Sequence, residues 1–307
     1  MQRTIIYDTE VYRNFFLFGC EDFETGEIKR ISLNGEDESL SKEKRTWLNK
    51  LFHNNTLVGF NSNGYDIIMV WLAICGFTAS QIKDWSDYVI DKGLMPWKVN
   101  KVIGVNRIPN YPNHIDIWPL VKLKPSLKTC AGRLFAPKMQ DLPYEPSLIL
   151  NEDQKKEVVI YNKNDLDVTK RLYKRLKVEL DLRVKMSREY GVDLRSKSDA
   201  QIAEAVIGRE MEKILGRKVY KPRFDPSLTF GYKPPSFIRF DNAILSNILT
   251  KVRTHTFRLQ TKSTKVELPS FLTDEITIGG NLASIVDRRR GGDRPAGAGG
   301  SGTCRSR

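Results

Sequence analysis

The stretch Ile5-Ile6-Tyr7-Asp8-Thr9-Glu10 places two carboxylates two residues apart behind an apolar run. On a strand, alternate side chains share a face, so Asp8 and Glu10 point one way and Thr9 the other. Two anions so placed repel each other unless one is protonated or a cation neutralises them. Oxygen-only donors select hard divalent cations, Mg²⁺ above all. Two solvated acids at the end of a strand would look the same in isolation, so the weight falls on carboxylates further along the chain.

Two more acidic sites lie downstream. In Gly59-Phe60-Asn61-Ser62-Asn63-Gly64-Tyr65-Asp66, a buried strand delivers the chain to a turn, and Asp66 opens an apolar helix. Asp66 would also serve as a plain helix cap, and Asn61 and Asn63 suit a turn on conformational grounds. In Tyr161-Asn162-Lys163-Asn164-Asp165 the phenol and the carboxylate stand four apart, neighbours on one helical face. Asn162 and Asn164 are indifferent helix formers. Such a local cost fits either a functional site or an exposed polar face.

These residues need elements to hold them. Residues 3–8, 14–20 and 26–32 read as three strands of an antiparallel meander, and Ser41 to Phe52 as a helix with Trp47, Leu48, Leu51 and Phe52 on one face. Residues 57–60 and 114–117 read as short strands, and 66–75 and 79–92 as helices. Leu123 to Leu134 carries a helix after Lys124-Pro125, with the proline at a permitted first-turn position. Asn151 caps a long helical stretch that continues, with one kink, to Tyr190 before Gly191 stops it. Ser198-Asp199-Ala200-Gln201 is a capping box opening a helix to Leu215. Alternating strands and helices around a mixed sheet make an α/β domain of about 190 residues. Beyond Gly216, prolines suggest extended segments, with an amphipathic stretch at 241–253 and a hairpin at 256–268.

The 307 residues carry 40% hydrophobic and 28% charged side chains, ordinary for a soluble globular protein. No apolar run approaches the roughly 20 residues that span a bilayer. Cys20, Cys75, Cys130 and Cys304 form no CxxC pair, and His53, His114 and His255 form no zinc spacing. A reduced, cytoplasmic monomer is the expectation. Of the net charge of +13, five units lie in residues 288–307, where six arginines meet one aspartate; the other eight belong to residues 1–287. A basic body around acidic residues suits a phosphate backbone held beside metal ions. The Arg/Gly/Ala-rich residues 287–307 have nothing to pack and read as disordered.

Asp8-x-Glu10, Asn61-x-x-x-Tyr65-Asp66 and Tyr161-x-x-x-Asp165 together resemble, in order and context, the three exonuclease motifs of phage-type family-B DNA polymerases. The linking residues Lys124-Pro125-Ser126-Leu127-Lys128, Lys138 to Tyr144 and Ser198 to Glu204 look similar too. The resemblance covers residues 1 to about 215 well and 216–285 loosely. It implies a ribonuclease-H-like exonuclease domain (1–195), the start of a polymerase-linking region (196–286) and the tail. It further implies that Asp8, Glu10, Asp66 and Asp165 hold two Mg²⁺ or Mn²⁺ ions, that Tyr161 orients the attacking water, and that Asn61 and Tyr65 line the groove for a single-stranded DNA 3′ end. Paired metals stabilise both attacking and leaving oxygens in such chemistry, with polymerases and nucleases as standing examples.

The departure from the family is length, since no palm, fingers or thumb is present. Thr277-Ile278-Gly279-Gly280 resembles the junction between exonuclease and polymerase parts, after which the composition changes abruptly. A truncated, frame-shifted or split polymerase is the expectation, with a separate polymerase chain as a partner and no nucleotide addition by this chain. The competing readings are a non-catalytic nucleic-acid-binding module and a freestanding repair nuclease of the same fold.

Overall fold

Five strands form one mixed sheet in the order β3-β2-β1-β4-β5. β1 (Thr4–Tyr12), β2 (Phe15–Asp22) and β3 (Ile28–Leu33) are an antiparallel meander; β4 (Thr56–Gly59) and β5 (His114–Asp116) join parallel to β1. The computed structural model describes residues 3–103, 107–220, 229–258 and 269, with the backbone of 276–279 and 282–285. Contacts divide the chain after Val219.

β1 runs four residues past the expected end at residue 8. Every residue from Ile5 to Tyr12 faces a partner on β2, so the hairpin carries the strand through both carboxylates. Asp8 and Glu10 thus lie inside the sheet rather than at its end.

Side-chain alternation along β1 sorts the core. Ile5, Tyr7 and Val11 pack with α1 (Lys42–Asn54), α2 (Asp66–Cys75) and α3 (Ala79–Lys92). Ile6 and Tyr12 pack on the opposite face, where α5 (Leu127–Arg133), α6 (Glu152–Arg175) and α7 (Lys177–Tyr190) lie, after the one-turn α4 (Pro96–Val99). Each large side chain that the sheet buries fully contributes ~1.5–3 kcal/mol, so both faces are anchored by burial. Asp8 and Glu10 share the even-numbered face, directly under α6.

α6 is fixed at several points along its length. Asn151 and Gln154 form a reciprocal capping box at its start. Asn14, in the β1–β2 turn, bonds both backbone groups of Leu150 at 2.8–2.9 Å. Further along, Lys170 pairs with Glu21 on β2. Leu176 separates α6 from α7, the kink expected within 151–190.

α5 begins after Lys124-Pro125, as expected, but the proline is not part of its first turn. Ser126 is its N-cap, accepting from the Thr129 amide, so Pro125 lies before the cap and not in the first turn. Leu123 and Lys124, at φ 66° and 43°, turn the chain away from helical geometry just upstream. α8 (Asp199–Leu215) opens on the expected Ser198 capping box and belongs to the first unit.

In the second unit, α9 (Ala243–Thr254) fills the amphipathic stretch, capped by Asn242. β7 (Thr256–Arg258) pairs antiparallel with β6 (Thr229–Gly231); residues 259–268 of the expected hairpin lie outside the described residues. β8 (Ile276–Gly279) and β9 (Leu282–Ile285) pair antiparallel. The Arg-rich stretch 287–307 lies outside the described residues. Among the described residues no helix is long and apolar enough to cross a membrane.

Candidate metal centre

One carboxylate oxygen from each of Asp8, Glu10 and Asp165 lies within 4.8 Å of the others. The first two come from one face of β1 and the third from α6, which crosses that face. Oxygens opposite each other on Mg²⁺ at about 2.1 Å are about 4.2 Å apart, so small side-chain rotations would bring all three into one coordination shell. The donor set is oxygen alone, which suits Mg²⁺ or Mn²⁺ and not a thiolate-seeking metal.

The electrostatics load this cluster with negative charge that the neighbouring groups do not offset. Burial, and then Glu10, Asp66 and Asp165, push the Asp8 carboxyl well above its usual range. Burial, and then Asp165, do the same to Glu10. Asp165 is pushed up to about 6, chiefly by burial, against hydrogen bonds from Tyr161 and Asn164 that favour its charged form. Three acids that all resist ionising would be relieved by a cation among them.

Tyr161 stands where its spacing placed it, bonded to Asp165 on the same face of α6. Burial and the Asp165 and Glu10 charges push its phenol far above its ordinary value. Asp167, close by in sequence, instead pairs with Arg171 at 2.7 Å on the exposed side.

Asp66 is buried but not part of the close cluster. Its Oδ1 accepts from the Thr9 hydroxyl at 2.6 Å and the Thr9 amide at 3.1 Å. Thr9 projects from the odd-numbered face of β1, the side on which α2 begins, which explains the separation. Burial first, offset by these bonds, leaves the Asp66 carboxyl raised to about 6. Its charge still weighs on Asp8 and Glu10. Asp66 is the first helical residue of α2 and not its cap, a position held by Tyr65.

Asn61 is exposed and takes a left-handed φ of 56°, a conformation asparagine tolerates. The Tyr65 hydroxyl meets Ser86 Oγ of α3 at 2.7 Å, and its ring packs at the edge of the core.

Three further residues, to which the sequence assigned no role, shape the site. Thr9 holds Asp66. Asn162, fully buried, donates from Nδ2 to Asp8 Oδ2 at 2.8 Å, while its Oδ1 has no partner among the described residues. Asp116, buried at the end of β5, accepts from the amides of Asn61, Asn63 and Trp118 at 2.9, 3.1 and 3.0 Å and so moulds the 61–64 turn. The signals were there in kind. Asn162 interrupts a good helix, and Asp116 closes a buried strand as Asp66 follows one.

No family model, curated protein or solved structure matches this chain.

Proposed function

We propose that this chain is a divalent-metal-dependent 3′→5′ exonuclease acting on single-stranded DNA ends, with a ribonuclease-H-like exonuclease fold. In that reading it is the proofreading part of a family-B DNA polymerase. The observation that carries the proposal is the convergence of Asp8, Glu10 and Asp165 from two separate elements, each held against its own ionisation. Asp8, Glu10 and Asp165 would hold a divalent ion, and Asp66 would serve a second. Bound there, such ions supply Lewis acidity at the scissile phosphate and charge to balance the acids.

The chain's own groups have distinct parts. Tyr161, its proton held firmly, orients a water through its hydroxyl and does not take the water's proton. Asp165 accepts the Tyr161 hydroxyl's hydrogen bond and so fixes the direction of that hydroxyl. Asn162 fixes the rotamer of Asp8, and Thr9 that of Asp66. Asn61, on the exposed turn that Asp116 shapes, lies on the approach of the strand's end.

Single-stranded DNA and RNA 20-mers, labelled at either end, test the reading. The 3′ label should be released as mononucleotide in Mg²⁺ or Mn²⁺, the 5′ label should give a descending ladder, and chelator should stop both. DNA should be consumed faster than RNA. Binding without cleavage in either metal would refute the proposal.

A further inference from the structure

A second concavity of about 670 Å³ lies beside the 61–67 turn, within the size range of small-ligand sites. Asn63 and Ile67 line it, while Asp66 between them turns to Thr9 on β1. The chain from Asn63 to Ile67 therefore joins the cavity's lining to Asp66, whose charge weighs on Asp8 and Glu10. Trp97, 58% exposed, lines the cavity together with Pro96 and the 108–112 segment. The Lys98 and Lys101 amines lie 5.4 and 5.3 Å from its ring centroid.

The wall is braced rather than loose. Arg195 pairs with both Asp193 oxygens at 2.8–2.9 Å and donates to the Pro112 carbonyl. Ser196 accepts from the Asp116 amide at 2.9 Å, tying the wall to the strand that shapes the turn. His114, buried in the lining, has Nε2 engaged by Tyr7 at 2.8 Å and Ser62 at 3.1 Å. Arg195 and Lys197 outnumber Asp193 in the lining, so its charge is positive. An exposed indole, amide side chains (Asn63 and Asn110) and amines together match an unpaired nucleotide: a base face to stack, base edges to bond and phosphates to neutralise. No mainly apolar partner would call for the amides and the charge together.

We propose that this cavity binds an unpaired nucleotide of the strand whose 3′ end lies at the carboxylates, with its base against Trp97 and its backbone toward Lys197, Lys98 and Lys101. The assignment of one strand to both sites rests on the exonuclease reading; DNA binding in the cavity does not.

The test is the Kd of fluorescein-labelled dT12 for the full chain in chelator, where no digestion occurs, at about 0.15 M salt. Trp97→Ala should weaken binding about tenfold, in the range set by losing one base–aromatic stack. Trp97→Phe should restore most of the affinity, and Lys197→Gln should lower both the affinity and its salt dependence. The exposure of Trp97 keeps the substitution from unfolding the chain. A change of less than threefold for Trp97→Ala, or no binding of dT12 by the parent chain, overturns the proposal. Digestion in Mg²⁺ is scored separately. Digestion with Trp97-independent binding sinks the cavity alone, and Trp97-dependent binding without digestion sinks the exonuclease alone.

Discussion

Asp165 and Asp66, both raised to about 6 from an ordinary 3.8, hold their protons more tightly in the folded chain than in the unfolded one. Each therefore stabilises the fold fully below about pH 3.8, and that contribution is lost as the pH rises through about 6. Asp165→Asn removes one such group, so its melting temperature without metal should gain on the parent chain's between pH 4.5 and 7.5. A constant difference across that window would mean that Asp165 ionises freely. Tyr161 makes a sharper case. Tyr161→Phe keeps the ring and its burial but removes the hydroxyl on Asp165. It should slow single-turnover digestion by up to about 100-fold, the low end for positioned proton-handling groups. A core tyrosine would instead lose ~1 kcal/mol of stability and keep its rate. At this scale Asp8, Glu10, Tyr161 and Asp165 were legible because strand and helix periodicities fix which side chains share a face. Thr9 was not, and Asn162 showed only as a weak helix former, because their parts depend on which element crosses which face, and no local spacing encodes that.

The site depends on a close approach between β2 and α6. A Cβ on Gly19 would lie 1.9 Å from Asn162 Oδ1, so only glycine there lets Asn162 sit under Asp8. Gly19→Ala should push α6 or Asn162 aside. The expected result is a loss of ~1–3 kcal/mol from overpacking and a roughly 10–100-fold slower digestion, as for residues that orient ligands. A denaturant melt and single-turnover digestion on the same protein check both; an unchanged rate would detach Asn162 from the chemistry. Most elements were readable from periodicity and caps, Asn151 and Ser198 among them. The errors came where pairing or backbone geometry decides. β1 outran its expected end because β2 pairs with it to Tyr12, and Pro125 stays out of the first turn of α5 because Leu123 and Lys124 take left-handed conformations and Ser126 caps the helix.

The molecule's charge divides unevenly, with five of the thirteen positive units in residues 288–307. Deleting them should leave digestion at low salt within about twofold, and the salt dependence of DNA binding nearly unchanged. Each phosphate gripped by a single-strand binder contributes roughly 0.7 to the log–log salt slope. A slope flatter by several units after deletion would assign backbone binding to the six arginines instead. Neither composition nor periodicity could have exposed the cavity beside the 61–67 turn, whose lining is gathered from residues 63 to 197. The metal centre itself is tested most directly by single-turnover digestion of a 3′-labelled oligodeoxynucleotide in Mg²⁺, comparing the parent chain with Asp8→Ala. Loss of a ligand should slow digestion by more than the roughly 100-fold ceiling for neighbours of ligands, while the metal-free variant melts no lower than the parent because like charges have been thinned. Near-normal digestion by Asp8→Ala in Mg²⁺ would contradict a catalytic metal centre at these carboxylates.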